Sequence, residues 1–280
     1  MGARGPAVCE GPSQGRNDVS GFSAEWLALR EPADAAARSR AVTEFAVQGL
    51  EVGGGRLLDL GGGTGANIRY LSKHFHASPD WTIVDDDAEL LARAPAGAWR
   101  QRADLTHVVD DDAMFRGCSL VTASALLDLV SERWLKQLIT RCSLAGMAVL
   151  FALNYDGRAR CEPSEPEDDE VRRLVNEHQR RDKGFGVALG PAAWARTVEL
   201  LSAAGYEVKQ EQSDWDLRPA DSTALQRQLI AGWAQAASEM RPADMLVFAA
   251  WHDRRIAHVD ARRSRIVVGH VDVAGVRGRT

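Results

Sequence analysis

Leu57-Leu58-Asp59-Leu60-Gly61-Gly62-Gly63-Thr64-Gly65 runs from an apolar strand into a helix that begins near Asn67, and its reading decides the fold of this 280-residue chain. Glycines adopt positive φ without strain and leave no Cβ between backbone amides and a ligand. The following helix adds unpaired N–H groups at its N-terminus. The stretch therefore reads as a cradle for a nucleotide-like or amino-acid-like ligand, with Asp59, Gly61, Gly63, Gly65 and Asn67 as candidate contacts. Outward from it, short apolar runs at Arg56 to Leu60, Trp81 to Asp85, Trp99 to Ala103, Leu120 to Ala123 and Met147 to Leu153 alternate with amphipathic segments. That is the pattern of a parallel sheet covered by helices on both faces.

The remaining segments fit around this core. Residues 1–20 mix Gly, Pro, Ser and charges without apolar periodicity and read as a disordered leader. Trp26, Leu29, Ala33, Ala37, Val42 and Phe45 recur at helical spacing, so residues 21–52 read as a helical cap, with Pro32 placed to open its second helix. Two insertions are expected in the domain from 53 to 280. One, at about 156–190, is a polar acidic stretch, a helix and a glycine-containing loop; the other, at about 214–260, is mostly helical. Between and after them, Tyr206 to Gln212 and Arg265 to Val273 alternate like strands. The fold class is α/β: a doubly wound, mostly parallel seven-stranded sheet with helices on both faces and a helical cap or lid.

Composition limits the partners. A formal charge of −5 gives no general attraction to phosphate backbones, and no apolar run reaches membrane-spanning length. Cys9, Cys118, Cys142 and Cys161 lie far apart with no CxxC pair, which suits a reducing cytoplasm and gives neither a disulfide framework nor a metal site. The oligomeric state stays open.

Two cofactor readings compete for the loop. Gly61-x-Gly63-x-x-Ala66 satisfies the dinucleotide fingerprint, with Asp85 roughly 20 residues on. However, an acidic residue stands two positions before the first glycine, and Gly65 falls where the dinucleotide pattern needs none. The loop resembles the E/D-x-G-x-G-x-G turn of class I S-adenosylmethionine (SAM)-dependent methyltransferases, and the resemblance extends over roughly Arg56 to Leu153. It implies SAM as cofactor, Asp85 on the ribose hydroxyls with Asp86 beside it, and Asp87 as a helix cap. It also implies Asp104 on the adenine amino group, next to Leu105. The reaction implied is transfer of the sulfonium methyl to an O or N atom of a small-molecule acceptor. Many small-molecule O-methyltransferases place a histidine near the end of the fourth strand, where this chain departs with Leu127-Asp128, so the family's base does not carry over; Asp128 is the candidate catalytic group there, with a structural carboxylate as the alternative. The alternatives are an NAD(P)-dependent oxidoreductase and a non-catalytic SAM-fold binding module.

His178-Gln179-Arg180-Arg181-Asp182-Lys183-Gly184-Phe185-Gly186 concentrates donors in the first insertion, where this family often builds its substrate lid. His178 is a candidate catalytic group, and Arg181, Asp182, Lys183 and Phe185 are candidate contacts to an anionic or hydrogen-bond-rich acceptor. A solvated helix end is the plain reading of the same stretch. Arg38, four residues after Asp34, either meets a ligand carboxylate or pairs with Asp34 along its helix.

Overall fold

The computed structural model describes residues 23–50 and 55–278, so the leader expected at 1–20 lies outside it. Five strands run parallel in the order β3-β2-β1-β4-β5: β1 (Arg56–Leu60), β2 (Trp81–Asp85), β3 (Trp99–Arg102), β4 (Cys118–Ser124) and β5 (Ala148–Glu162). β8 (Arg265–Arg277) pairs antiparallel with β5, and its other edge carries β6 (Tyr206–Gln212) and β7 (Trp215–Leu217). The order reverses between β1 and β4, which puts a crevice at the carboxyl ends of those strands, directly beside the glycine turn.

Side-chain alternation sends the two faces to different cores. Leu57, Ile83, Leu120 and Leu150 pack under α2 (Arg40–Gln48), α3 (Ala66–Leu71) and α4 (Ala88–Ala92). Leu58, Leu60, Val121, Ala123, Val149 and Phe151 face α5 (Leu105–Val108), α6 (Asp112–Phe115), α7 (Glu132–Leu144) and α9 (Ala193–Ala203). Burying both faces of a sheet in this way is what makes its strands read as near-continuous apolar runs. A third cluster joins α1 (Ala24–Ala37), α8 (Asp168–Gln179), α10 (Thr223–Met240) and α11 (Met245–Asp260) around Trp215, Leu217, Ile266 and Val268.

Among the described residues the sheet has eight strands, not seven. β7 is the addition, three residues long and set in the acidic run Ser213-Asp214-Trp215-Asp216. β5 also continues through 156–162, which the sequence presents as a polar insertion. Beyond the parallel sheet, β5 and β8 continue as an antiparallel ribbon with β7 along the free edge of β8, and the β5–β8 pairing shifts register between Phe151 and Asn154 and between Tyr155 and Ala159. Arg158 and Arg160 on this ribbon are held by Asp214 and Glu162, so its polar residues form a solvated face rather than a loop. Pro32 lies inside α1. The break comes at Ser39, whose hydroxyl accepts from Val42 N (3.1 Å) and so starts α2.

Among the described residues no helix is long and apolar enough to cross a membrane, and no group of three or more His, Cys, Asp or Glu side chains is placed to hold a metal ion.

Candidate functional site

The site grows from the end of β1. Gly61, Gly63 and Gly65 have φ of +64°, +52° and +82°, which side-chain-bearing residues adopt only with strain. Gly63 N donates to Asp85 Oδ2 (2.8 Å), and Asp87 N donates to Asp85 Oδ1 (3.0 Å), so one carboxylate ties the turn to the end of β2. Burial pushes the Asp85 carboxyl upward, and the two backbone N–H groups oppose that shift. Each oxygen keeps a second lone pair for a ligand hydroxyl. Asp87 caps α4 by accepting from Glu89 N (2.8 Å) and Leu90 N (3.1 Å).

Beneath the turn, Asn67 Nδ2 donates to Asp59 Oδ1 (2.7 Å) and to Thr122 Oγ1 (3.1 Å), while Asn67 Oδ1 accepts from Arg38 Nη1 (2.8 Å). Burial pushes the Asp59 carboxyl up to about 7, and its Oδ2 has no hydrogen-bond partner. Arg38 does not pair with Asp34. Arg30 (2.9 Å) and Trp215 Nε1 (3.0 Å) occupy that carboxylate, and the Arg38 guanidinium lies 4.5 Å from the Tyr70 ring centroid. Beside this network is a cavity of about 40 Å³ lined in part by Arg38, Asn67, Tyr70 and Ser124. α1 passes close to the turn, since a methyl group added to Gly63 would lie 3.0 Å from Leu27 Cδ1.

The other expected cofactor contacts differ in placement. Leu105 borders the turn, 3.4 Å from where a methyl group on Gly61 would sit, as does Leu126. Asp104 is exposed and caps α5; its Oδ1 accepts from Thr106 N (2.8 Å) and Thr106 Oγ1 (2.7 Å), which holds its carboxyl below the usual range. Asp86 is exposed, and its backbone carbonyl accepts from Arg102 Nε (2.9 Å).

A second group of side chains gathers past the end of β4. Asp128 is 7% exposed and its Oδ1 has no partner. Burial pushes its carboxyl up to about 6, against the pull of the Arg30 and Lys183 charges. The His270 ring lies 5.1 Å from Trp215 and 6.2 Å from Tyr155, and Arg30 stands 5.2 Å over Trp215. His270 is a buried imidazole that burial pulls down to about 3, and its Nδ1 is unpartnered, as is Trp26 Nε1 one turn before Arg30. An unpaired buried polar group costs about 1–3 kcal/mol, so each of these atoms has capacity for a further polar partner.

The donor-rich loop is pinned at both ends. Asp182 Oδ1 accepts from Gly184 N (2.7 Å) and Gly186 N (3.0 Å), so this carboxylate shapes the loop itself. Phe185 packs edge-on against Trp134 at 5.5 Å. His178 lies 3.1 Å from Glu239 on α10 and 3.4 Å from Lys183 Nζ, and Arg181 approaches Glu239 at 3.9 Å. Of this set, Lys183 is the side chain whose charge reaches Asp128.

No family model and no curated protein matches the chain. Similar solved structures include a SAM-dependent methyltransferase from Geobacter sulfurreducens in complex with S-adenosyl-L-homocysteine (15% identity, 90% of this chain and 98% of that one, TM-score 0.45). A cyclopropane synthase from Mycobacterium tuberculosis is another (10% identity, 92% and 96%, TM-score 0.47). A third is phosphoethanolamine N-methyltransferase 2 from Haemonchus contortus in complex with S-adenosyl-L-methionine (15% identity, 85% and 52%, TM-score 0.42), of which this chain spans about half the length. By its own strand order, its parallel run β3-β2-β1-β4-β5 and the glycine turn after β1, the chain has the Rossmann-like, doubly wound fold expected from the sequence.

Proposed function

We propose that this chain is a SAM-dependent methyltransferase that moves the sulfonium methyl to an O or N atom of a small-molecule acceptor. The observation that carries the reading is the positive-φ glycine turn fastened to Asp85 at the carboxyl ends of β1 and β2. The residues fit the cofactor: Asp85 has lone pairs for the ribose hydroxyls, Leu105 and Leu126 give an apolar border, and unpartnered polar atoms lie beneath the turn. When bound, the cofactor supplies an activated methyl. The chain's tasks are then to align the acceptor and exclude water, and alignment alone is worth on the order of 7–11 kcal/mol.

The acceptor is assigned to the space facing Asp128, with Tyr155, Trp215 and His270 as its walls and Arg30 and Lys183 as its cations. Asp128 takes the proton from the acceptor's hydroxyl or amine as the nucleophile attacks. Arg181, Asp182 and Phe185 hold the loop that carries Lys183, and His178 positions Lys183 from the Glu239 side. The cations favour an anionic acceptor.

The first test is ligand-induced stabilisation. S-adenosylhomocysteine at a hundred times its Kd should stabilise the fold by about 2.7 kcal/mol and raise Tm, while NADH and NADPH leave it unchanged. Tighter binding of NADH would replace this reading by the oxidoreductase one, because the Gly61, Gly63 and Ala66 spacing serves either cofactor. SAM binding with no transfer to any acceptor in a metabolite extract would make the chain a binding module.

Neighbouring aspartates should separate in calorimetry. Asp85→Ala is expected to weaken S-adenosylhomocysteine by about 1.5–3 kcal/mol, the scale of a charged hydrogen bond. Asp87→Ala should leave affinity alone and cost about 1 kcal/mol of stability through the lost cap. Reversed behaviour would mean that Asp87, not Asp85, meets the ligand.

A further inference from the structure

We infer that Glu239 on α10 sets the charge preference of the acceptor site, acting through His178 on Lys183; the inference rests on the acceptor placement proposed above. Gln235 Nε2 donates to Glu239 Oε1 (3.0 Å) and Arg181 stands 3.9 Å from the same carboxylate. The Glu239 carboxyl is held below its usual range, first by the Gln235 hydrogen bond. An ionised carboxylate only accepts, so across the 3.1 Å contact it is His178 Nε2 that carries the proton. Burial and the Lys183 charge pull the His178 imidazole below its usual range, which leaves the ring neutral at neutral pH. In a neutral ring with its hydrogen on Nε2, Nδ1 is a lone pair, and the Lys183 ammonium is the donor across their 3.4 Å contact.

Both ring nitrogens are thereby occupied, so His178 acts as a spacer between an ammonium and a carboxylate rather than as a base. Lys183 carries its charge on a long flexible stem, and without the ring between them it would pair with Glu239 and be lost to the acceptor. The backbone keeps its loop on the Asp128 side. Leu189 N donates to Val130 O (2.9 Å), Gly190 N donates to Asp128 O (3.0 Å), and Asp182 bridges to Val187, so the loop bearing Lys183 is tied to the segment bearing Asp128. A solvated ion pair is the plain alternative, since the Glu239 side chain is 44% exposed. Contacts of that kind contribute little to stability, and the alternative predicts no effect on the acceptor.

The test reads the ring first and the acceptor second. Nuclear magnetic resonance of protein carrying isotopically labelled histidine, with the His178 signals assigned by their loss in His178→Asn, should show the Nε2–H tautomer alone at mildly alkaline pH. Hydrogen on Nδ1 in wild type overturns the inference. With the acceptor found by label transfer from SAM, His178→Ala should raise the acceptor KM about ten- to a hundredfold, the scale of a charge-assisted hydrogen bond, with kcat little changed. Glu239→Gln no longer fixes the tautomer; it should raise KM about three- to tenfold and barely move Tm. Adding Glu239→Gln to His178→Ala removes the carboxylate that captures Lys183, so the double variant should recover toward wild type. A double variant no better than His178→Ala, or a His178→Ala that loses kcat and keeps KM, overturns the inference and leaves the methyltransferase reading standing. If no acceptor is methylated, that reading itself fails, and this inference with it.

Discussion

Gly62→Val is expected to abolish cofactor binding and to lower Tm. Gly62 has an ordinary negative φ, so its requirement is for space rather than for backbone freedom. A Cβ there would lie 2.4 Å from Ile83 Cγ1, 2.7 Å from Ile83 Cδ1 and 2.7 Å from Asp59 Oδ2. Neither neighbour has room to yield, because Ile83 and Asp59 are both completely buried. Relief must come from the turn lifting away from β2, and that motion stretches the bonds from Gly62 N to Val84 O (3.1 Å) and from Gly63 N to Asp85 Oδ2 (2.8 Å). Overpacking of this kind costs about 1–3 kcal/mol, and the displaced turn no longer presents its amides. Gly63→Ala is the milder comparison, since its closest neighbour is the end of the Leu27 side chain at 3.0 Å. Calorimetric titration with S-adenosylhomocysteine, paired with thermal melts, reads both effects. Full affinity in Gly62→Val would show that the loop is only a tight turn.

This residue also shows what a sequence conceals. The spacing of Gly61, Gly63 and Gly65 marks the loop because positive φ follows a local rule, and all three have it. Gly62 reads as a free position between two required ones. Its constraint comes from Ile83 on the neighbouring strand, a residue that no motif pairs with it. Asp85 is legible for the opposite reason. A strand followed by a capped helix fixes where an acidic residue ends up, and Asp87 supplies the cap that leaves Asp85 available.

The inner parallel strands are legible because burial on both faces makes them short apolar runs; β1 and β2 begin and end where those runs do, whereas β3, Trp99-Arg100-Gln101-Arg102, is a largely exposed edge strand. The outer part of β5 is not legible, since Arg158, Arg160 and Glu162 face solvent and the strand is set by pairing with Arg265 to Val268, more than a hundred residues away in sequence. The same separation hides the acceptor side. Arg30 comes from α1, Tyr155 from β5, Trp215 from β7 and His270 from β8, and they meet only when the β5–β8 ribbon brings the cap back over the sheet. A histidine without metal-ligand spacing gives no sequence signal that its ring will be buried against two aromatics. The donor-rich segment around Lys183 is conspicuous by composition. Its geometry nevertheless divides the residues, with Asp182 shaping the loop, Phe185 packing on Trp134, and Lys183 carrying charge toward Asp128.

Asp128→Asn is expected to reduce turnover by about a hundred- to ten-thousandfold, the range for losing a general base, while leaving S-adenosylhomocysteine affinity unchanged. The acceptor would first be identified by label transfer from SAM into a metabolite extract. Burial raises the Asp128 carboxyl to about 6, which makes it a stronger base than an exposed aspartate and still ionised near neutral pH. Only the ionised form accepts a proton, so wild-type kcat/KM should climb with pH through about 6 and then level, and that limb should be absent in the variant. Stability should move the opposite way. A raised folded-state value means that the native protein holds a proton which the unfolded chain has already released. The stability this gives is fully present below the ordinary aspartate range near 4 and is lost as pH rises through about 6. At pH 8 wild type therefore bears the full cost of a buried carboxylate with an unpartnered oxygen, and an amide of the same shape does not. Asp128→Asn should melt above wild type at pH 8 and close to it at pH 4. A variant that keeps its turnover, or that melts below wild type at pH 8, would identify Asp128 as a structural carboxylate and remove the base from the proposed chemistry.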